Sequence, residues 1–143
     1  MKILLDTNIL LDAHLPGRSE SKWAFMLLDC IMQHEINACV CPLSLKDAYY
    51  ILCEFQNEPM ARQAIANLTR FIDVVSVDKA VVEDALGSNE PDFEDGIIRS
   101  CAEFYNVNFI ITRNEAAYKA SMVKALSSKE FLKNFCDVNE VYL

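Results

Sequence analysis

The sequence predicts an α/β fold: a central, mostly parallel sheet covered by helices on both faces. Three observations predict it. Short apolar runs alternate along the chain with longer segments whose apolar residues recur at helical spacing. Those helical segments are long enough to act as right-handed crossovers between parallel strands, which places helices on both sides of the sheet. The composition can supply the core, since 52% of the 143 residues are hydrophobic and only three are Gly and four Pro. Such a chain is not disordered, and its length suits one domain spanning residues 1–143.

The elements follow in order. KILLD at 2–6 is a short apolar run bounded by polar residues and reads as the first strand. From about Ser19 to His34, apolar side chains including Trp23, Leu27, Leu28 and Ile31 recur at helical spacing behind Ser and Glu start signals, which predicts a long helix. INACVC at 36–41 is the second strand, Ser44 opens a helix through Phe55, and Pro59 starts another that runs to about Arg70. FIDVVSV at 71–77 is β-branched and predicts the third strand, followed by a helix from about Asp78 to Leu86 that Gly87-Ser88-Asn89 closes. Asp92 starts a helix to about Tyr105, and NFIIT at 108–112 is the fourth strand. A short helix near 115–120, a last one from about Ser128 to Phe135 and an edge strand at VYL complete the expectation.

Charge and cysteine usage narrow the function classes. Thirteen Lys and Arg against 21 Asp and Glu give a net charge of −8, so no broad basic field recruits nucleic acid. Chemistry on a polyanion must therefore be local or helped by metal ions. The six cysteines lack paired C-x-x-C spacing and sit mostly in apolar runs, as buried thiols do in a reducing compartment. MKILLD is too short for the apolar region of a signal peptide, and no stretch approaches the ~20 apolar residues of a membrane span. A cytoplasmic protein with no membrane partner is expected.

The carboxyl ends of the strands are where parallel α/β sheets bind ligands, and here acids and amides gather there. Strand one ends in Asp6-Thr7-Asn8, strand two is followed by Ser44-Leu45-Lys46-Asp47, PDFED at 91–95 opens the helix before strand four, and strand four ends in Thr112-Arg113-Asn114. Taken singly, each has a capping explanation: Ser44 with Asp47, Thr112 with Glu115, and Asp92 with Asp95 in its first turn. Asp95 also has Arg99 at i+4 as an ion-pair partner. Asp6 resists this reading, because an acid closing a buried strand is costly without a partner or a metal. Clustered carboxylates repel and need cations, and oxygen-only donors select hard ions such as Mg²⁺ or Mn²⁺. Two such ions can activate water without a histidine base. Of the two histidines, His14 and His34, neither falls at a strand end.

These residues resemble the PIN-domain family, the single-domain ribonucleases that include VapC-type toxins. MKILLDTNILLD resembles the family's opening strand and DTN motif, DFEDGIIRSCAE its helix-borne acid, IITRN the strand carrying its last polar ligand, and ALSSKEFL the segment that ends one subfamily. The resemblance implies that Asp6, Asp47, Asp95 and Asn114 are catalytic and hold Mg²⁺ or Mn²⁺. Asp47 matches by placement only, and Asn114 stands where Asp is frequent. It further implies that Asn8 and Thr112 orient the ligands or the bound water. From their positions, Asp92 supports the site at the start of its helix, and Lys46, Arg99 and Arg113, beside the acids, are expected to hold RNA phosphates. An RNA substrate, an antitoxin partner with a basic segment and a homodimer built around Trp23 and Phe25 complete what the resemblance implies. A non-catalytic binding module is the alternative, as is an aspartate-based phosphatase or phosphoacceptor domain. The Asn at position 8 argues against the Asp-x-Asp of a phosphatase.

Overall fold

In the computed structural model, which describes residues 1–33 and 36–136, apolar strands stack side by side with all neighbours parallel. Strand β1 spans Lys2–Leu5, β2 Asn37–Val40, β3 Asp73–Val74, β4 Phe109–Ile111 and β5 Lys124–Leu126, in the sheet order β3-β2-β1-β4-β5. The register pairs Leu4 with Cys39 on one side and with Ile110 on the other. The helices are α1 Thr7–His14, α2 Ser21–Gln33, α3 Pro42–Phe55, α4 Glu58–Leu68, α5 Lys79–Leu86, α6 Phe93–Phe104 and α7 Ser128–Phe135, with a 3-10 turn at Glu115–Tyr118.

The period-two pleat divides the core in two. Ile3 and Leu5, with Ala38, Val40 and Ile111, face a cluster completed by α1, α2, α3, α4 and α7. Leu4, Cys39 and Ile110 face the opposite cluster of α5, α6 and Tyr118. Both layers are closed mainly by buried aliphatic side chains, and among the described residues the aromatic Phe131 is the largest side chain that is fully buried.

The sequence did not predict α1 or β5. Thr7–His14 buries Ile9, Leu10 and Leu11, an apolar stretch too short to show a helical period of its own. Gly17, at φ +93°, then turns the chain back into α2, so the first long helix starts at Ser21 rather than Ser19. In β5 only Leu126 is buried, too little for a periodic signal. The third strand is two residues instead of seven, α3 begins at Pro42 rather than Ser44, and the short helix near 115 is a 3-10 turn. The edge strand expected at VYL and His34 lie outside the described residues.

The strand order places the site. From β1 the chain steps one way to β2 and β3, then crosses to the other side of β1 for β4 and β5. The seam between β1 and β4 is the topological switch point, where loops diverge and leave a crevice at the carboxyl edge. Asp6 and Thr112 both emerge there, joined by a bond from the Asp6 amide to the Ile111 carbonyl of 2.9 Å.

Candidate active site

Asp6 leaves β1 in extended conformation and caps α1, its Oδ1 accepting from the Thr7 amide at 2.8 Å. Its Oδ2 accepts from the Thr112 hydroxyl and from the Tyr118 hydroxyl, both at 2.9 Å. Thr112 is buried at the end of β4 and its Oγ1 in turn accepts from the Asn114 amide at 3.0 Å. Three donors from three elements therefore hold one carboxylate in a fixed pose.

The same Tyr118 hydroxyl stands 3.5 Å from Asp95 Oδ1. One hydroxyl thus lies between two carboxylates that come from opposite sides of the crevice. Burial, then the charges of Asp6 and Asp95, push the Tyr118 phenol far above its ordinary range, so it remains a donor. Desolvation, then the charges of Asp92 and Asp6, raise the Asp95 carboxyl above its usual range.

Asp92 caps α6, accepting from the amides of Glu94 at 2.8 Å and Asp95 at 3.3 Å. That cap fixes the first turn of α6, which carries both acids. Glu94 is the residue that the sequence reading passed over. Desolvation, a hydrogen bond with Asp47, and the charges of Asp47, Asp92 and Asp6 raise it to about 7. Glu94 is thus the protonated partner of that bond at slightly acid pH, and it ties Asp47 on α3 to the acids on α6. The Lys46 ammonium meets Asp47 Oδ1 at 3.0 Å on the exposed rim.

The sequence profile of the PIN domain matches residues 2–116, most of the chain. The chain belongs to the PIN-domain family. No curated protein matches it in sequence. Among solved structures, a VapC toxin of Mycobacterium tuberculosis that cleaves the sarcin-ricin loop is similar in fold, with a TM-score of 0.69 and 16% identity over 85% of this chain and 97% of that one. A toxin-antitoxin complex from Klebsiella pneumoniae gives 0.68 and 18% over 88% and 97%. The Rickettsia felis VapBC2 bound to a DNA fragment from its promoter gives 0.65 and 13% over 89% and 98%.

Within this PIN domain, three sequence expectations need correction. Arg99 is not a phosphate ligand and does not pair with Asp95. Its side chain is 8% exposed and is bound by Glu90, by Asp84 at 2.9 Å and by Glu103 at 2.8 Å, which ties α6 to α5 and to the loop before Asp92. Asn8 does not orient the ligands; it is exposed, and its carboxamide oxygen faces the Arg18 guanidinium at 3.4 Å. Neither Ser44 nor Thr112 caps a helix. Cys41 occupies the cap position of α3 while the Ser44 hydroxyl is buried without a partner, and Thr112 spends its hydroxyl on Asp6.

Asn114 sits exposed at the cap position of the 3-10 turn, its side chain making no cap bond. Arg113 follows Thr112 and reaches Asp12 at 3.2 Å. Trp23 is half-buried between the ammonium groups of Lys22 and Lys129, and Phe25 beside it is 66% exposed. Among the described residues no helix is long and apolar enough to cross a membrane.

The donor set suits a hard divalent ion: its charged donors are carboxylates, and burial first, then the neighbouring acids, raise Glu94 and Asp95, the acids' part being what a cation would counter. Among the described residues no three His, Cys, Asp or Glu stand close enough, as placed, to hold one ion. Holding it would therefore require these side chains to draw inward.

Proposed function

We propose that this PIN domain is a metal-dependent endoribonuclease, the toxin of a toxin-antitoxin pair, acting in the cytoplasm. One observation carries the reading: Asp6, fixed by three donors at the switch point, shares a hydroxyl with Asp95 while Glu94 joins Asp47 to the same acids. Acids from three separate elements meeting at one sheet edge exceed what helix capping requires.

Asp6, Asp47 and Asp95, with Asn114 at the margin, are the residues that would hold Mg²⁺ or Mn²⁺. When bound, such ions polarise a phosphodiester and lower the pKa of water at neutral pH. Thr112 and Tyr118 aim the Asp6 carboxylate, and Asp92 fixes the helix turn that presents Asp95. Glu94, titrating near neutral pH, is placed to take up or release a proton at its carboxyl oxygen. Lys46 and Arg113 supply positive charge for RNA phosphates.

Two partners fit the surface. An acidic crevice in a chain of net charge −8 suits a basic antitoxin segment, in keeping with the fold shared with the Klebsiella pneumoniae complex. The exposed Phe25 on α2 suits a second copy of the chain. Asn114, standing where an acid would add a charge to the site, favours one second reading, a PIN domain that binds nucleic acid or protein without catalysis.

The deciding experiment incubates the protein with unstructured RNA and Mn²⁺ or Mg²⁺. Endonucleolytic cleavage leaving 5′-phosphate and 3′-hydroxyl ends is expected, with loss in EDTA and in Asp6→Asn and Asp95→Asn. Cleavage that persists in EDTA, or in both variants, overturns the metal mechanism; binding without cleavage supports the second reading.

A further inference from the structure

A buried carboxylate, Asp12, lies outside the acid cluster and holds two guanidinium groups. Its side chain is fully buried on α1. Arg18 Nε reaches its Oδ1 at 2.7 Å and Arg113 Nη1 reaches the same oxygen at 3.2 Å. The two arginines come from different parts of the chain: Arg18 from the turn that Gly17 makes at φ +93°, and Arg113 from the residue after Thr112. Arg18 Nη2 also reaches Asn8 Oδ1 at 3.4 Å, so the pair joins the turn after α1 to the first turn of α1 and to the segment after β4.

From these contacts we infer that Arg18 and Arg113 form a phosphate clamp for the RNA backbone, with Asp12 as its positioning residue. The inference rests on the nuclease reading for the identity of the polyanion. One carboxylate neutralises only one of the two cations, leaving a local excess of positive charge in an acidic protein. Both guanidinium groups remain partly exposed, at 29% and 36%, and among the described residues their other nitrogens have no carboxylate partner. Two planar forks with spare N–H donors match the oxygens of a phosphodiester.

Preorganisation distinguishes the pair from ordinary surface charge. The turn is fixed by bonds from the Ser21 hydroxyl to the Leu15 carbonyl and from the Ser21 amide to the Arg18 carbonyl, so Arg18 loses little freedom on binding. Arg99 is buried among its carboxylates and Lys46 lies apart, on the Asp47 rim, whereas Arg18 and Arg113 stand beside Asn8 and Thr112. Six residues of helix advance about 9 Å, so a phosphate anchored above Asp12 is a neighbour of the one at Asp6 and not the one that is cut. The clamp therefore sets how a strand lies across the site.

The test is fluorescence anisotropy of a labelled, unstructured 12-nucleotide RNA in EDTA, titrated at several salt concentrations, with cleavage in Mn²⁺ measured alongside. Arg18→Ala and Arg113→Ala should each weaken binding about tenfold and lower the log–log salt slope by about 0.7. Lys79→Ala, which removes an exposed cation on the remote α5, should leave that slope unchanged. If an alanine variant loses its fold by circular dichroism, Arg18→Lys and Arg113→Lys retain a charge for Asp12 and should still weaken binding through loss of the fork. Equal affinity and slope in wild type and folded arginine variants, or no RNA binding by wild type, overturns the clamp. Arginine-dependent binding without any cleavage in Mn²⁺ supports the clamp while the nuclease reading falls.

Discussion

Exchanging Asp6 and Asp95 separately for Asn should move stability in opposite directions without added metal, because the two acids are held differently. Asp95 receives one long contact from Tyr118 and otherwise faces negative charge. The shared hydroxyl puts its carboxylate ~6 Å from that of Asp6, where repulsion at an effective dielectric of ~20 amounts to about 3 kcal/mol. Solvent at a partly exposed site reduces this to on the order of 1 kcal/mol. Asp95→Asn should therefore raise the melting temperature in EDTA by roughly 2–4 °C. Asp6 instead accepts three hydrogen bonds, and a bond to a charged acceptor contributes about 1.5–3 kcal/mol. An Asn keeps the Thr7 bond but turns an amide N–H₂ toward two hydroxyls. After relief of repulsion the net cost is about 2 kcal/mol, a fall of roughly 4–8 °C. Mn²⁺ at a hundredfold excess over its dissociation constant should stabilise wild type by about 2.7 kcal/mol and either variant much less. The assay is thermal unfolding by circular dichroism in EDTA and across a Mn²⁺ series. An Asp6→Asn protein as stable as wild type in EDTA, together with a destabilised Asp95→Asn, would refute the assignment of donors and repulsion.

Tyr118→Phe removes the shared hydroxyl with little change of shape; it should cost about 1.5–3 kcal/mol by urea unfolding and reduce RNA cleavage. Because Glu94 is raised to about 7, the folded state binds its proton more tightly than the unfolded chain. Melting temperature in EDTA should thus rise as pH falls from 8 through 7 to 6, and Glu94→Gln or saturating Mn²⁺ should flatten that rise. Arg99→Ala strips the partner from the buried Glu90 and should destabilise by about 3–5 kcal/mol in denaturant titration, while leaving the salt slope of RNA binding unchanged.

What was legible in the sequence was local. The apolar run before Asp6, the Asp92 cap and the helix behind it, and the strand ending at Thr112 each declare themselves within a few residues, so the α/β class and the placement of acids at strand ends could be read directly. Glu94 could not be, because an acid in the first turn of a helix looks like a dipole partner until Asp47 is packed opposite it. Tyr118 carries no signal at all, since its partner Asp6 lies 112 residues away. Arg99 was misread because two of its three partners, Glu90 and Asp84, lie 9 and 15 residues away and only Glu103 is a neighbour on its own helix. A signal that could have flagged it is the run of acids on both sides of a single Arg in an apolar helix.

The switch-point seam also governs when the site can exist. Asp6 precedes Thr112 and Tyr118, which hold its carboxylate, by 106 and 112 residues. Loop closure over such a span must be completed before these contacts contribute anything. A growing chain that already carries Asp6 cannot aim it until β4 has docked against β1. The acid crevice is thus completed by the same event that docks β4 against β1, and not by the folding of either strand with its own neighbours in sequence.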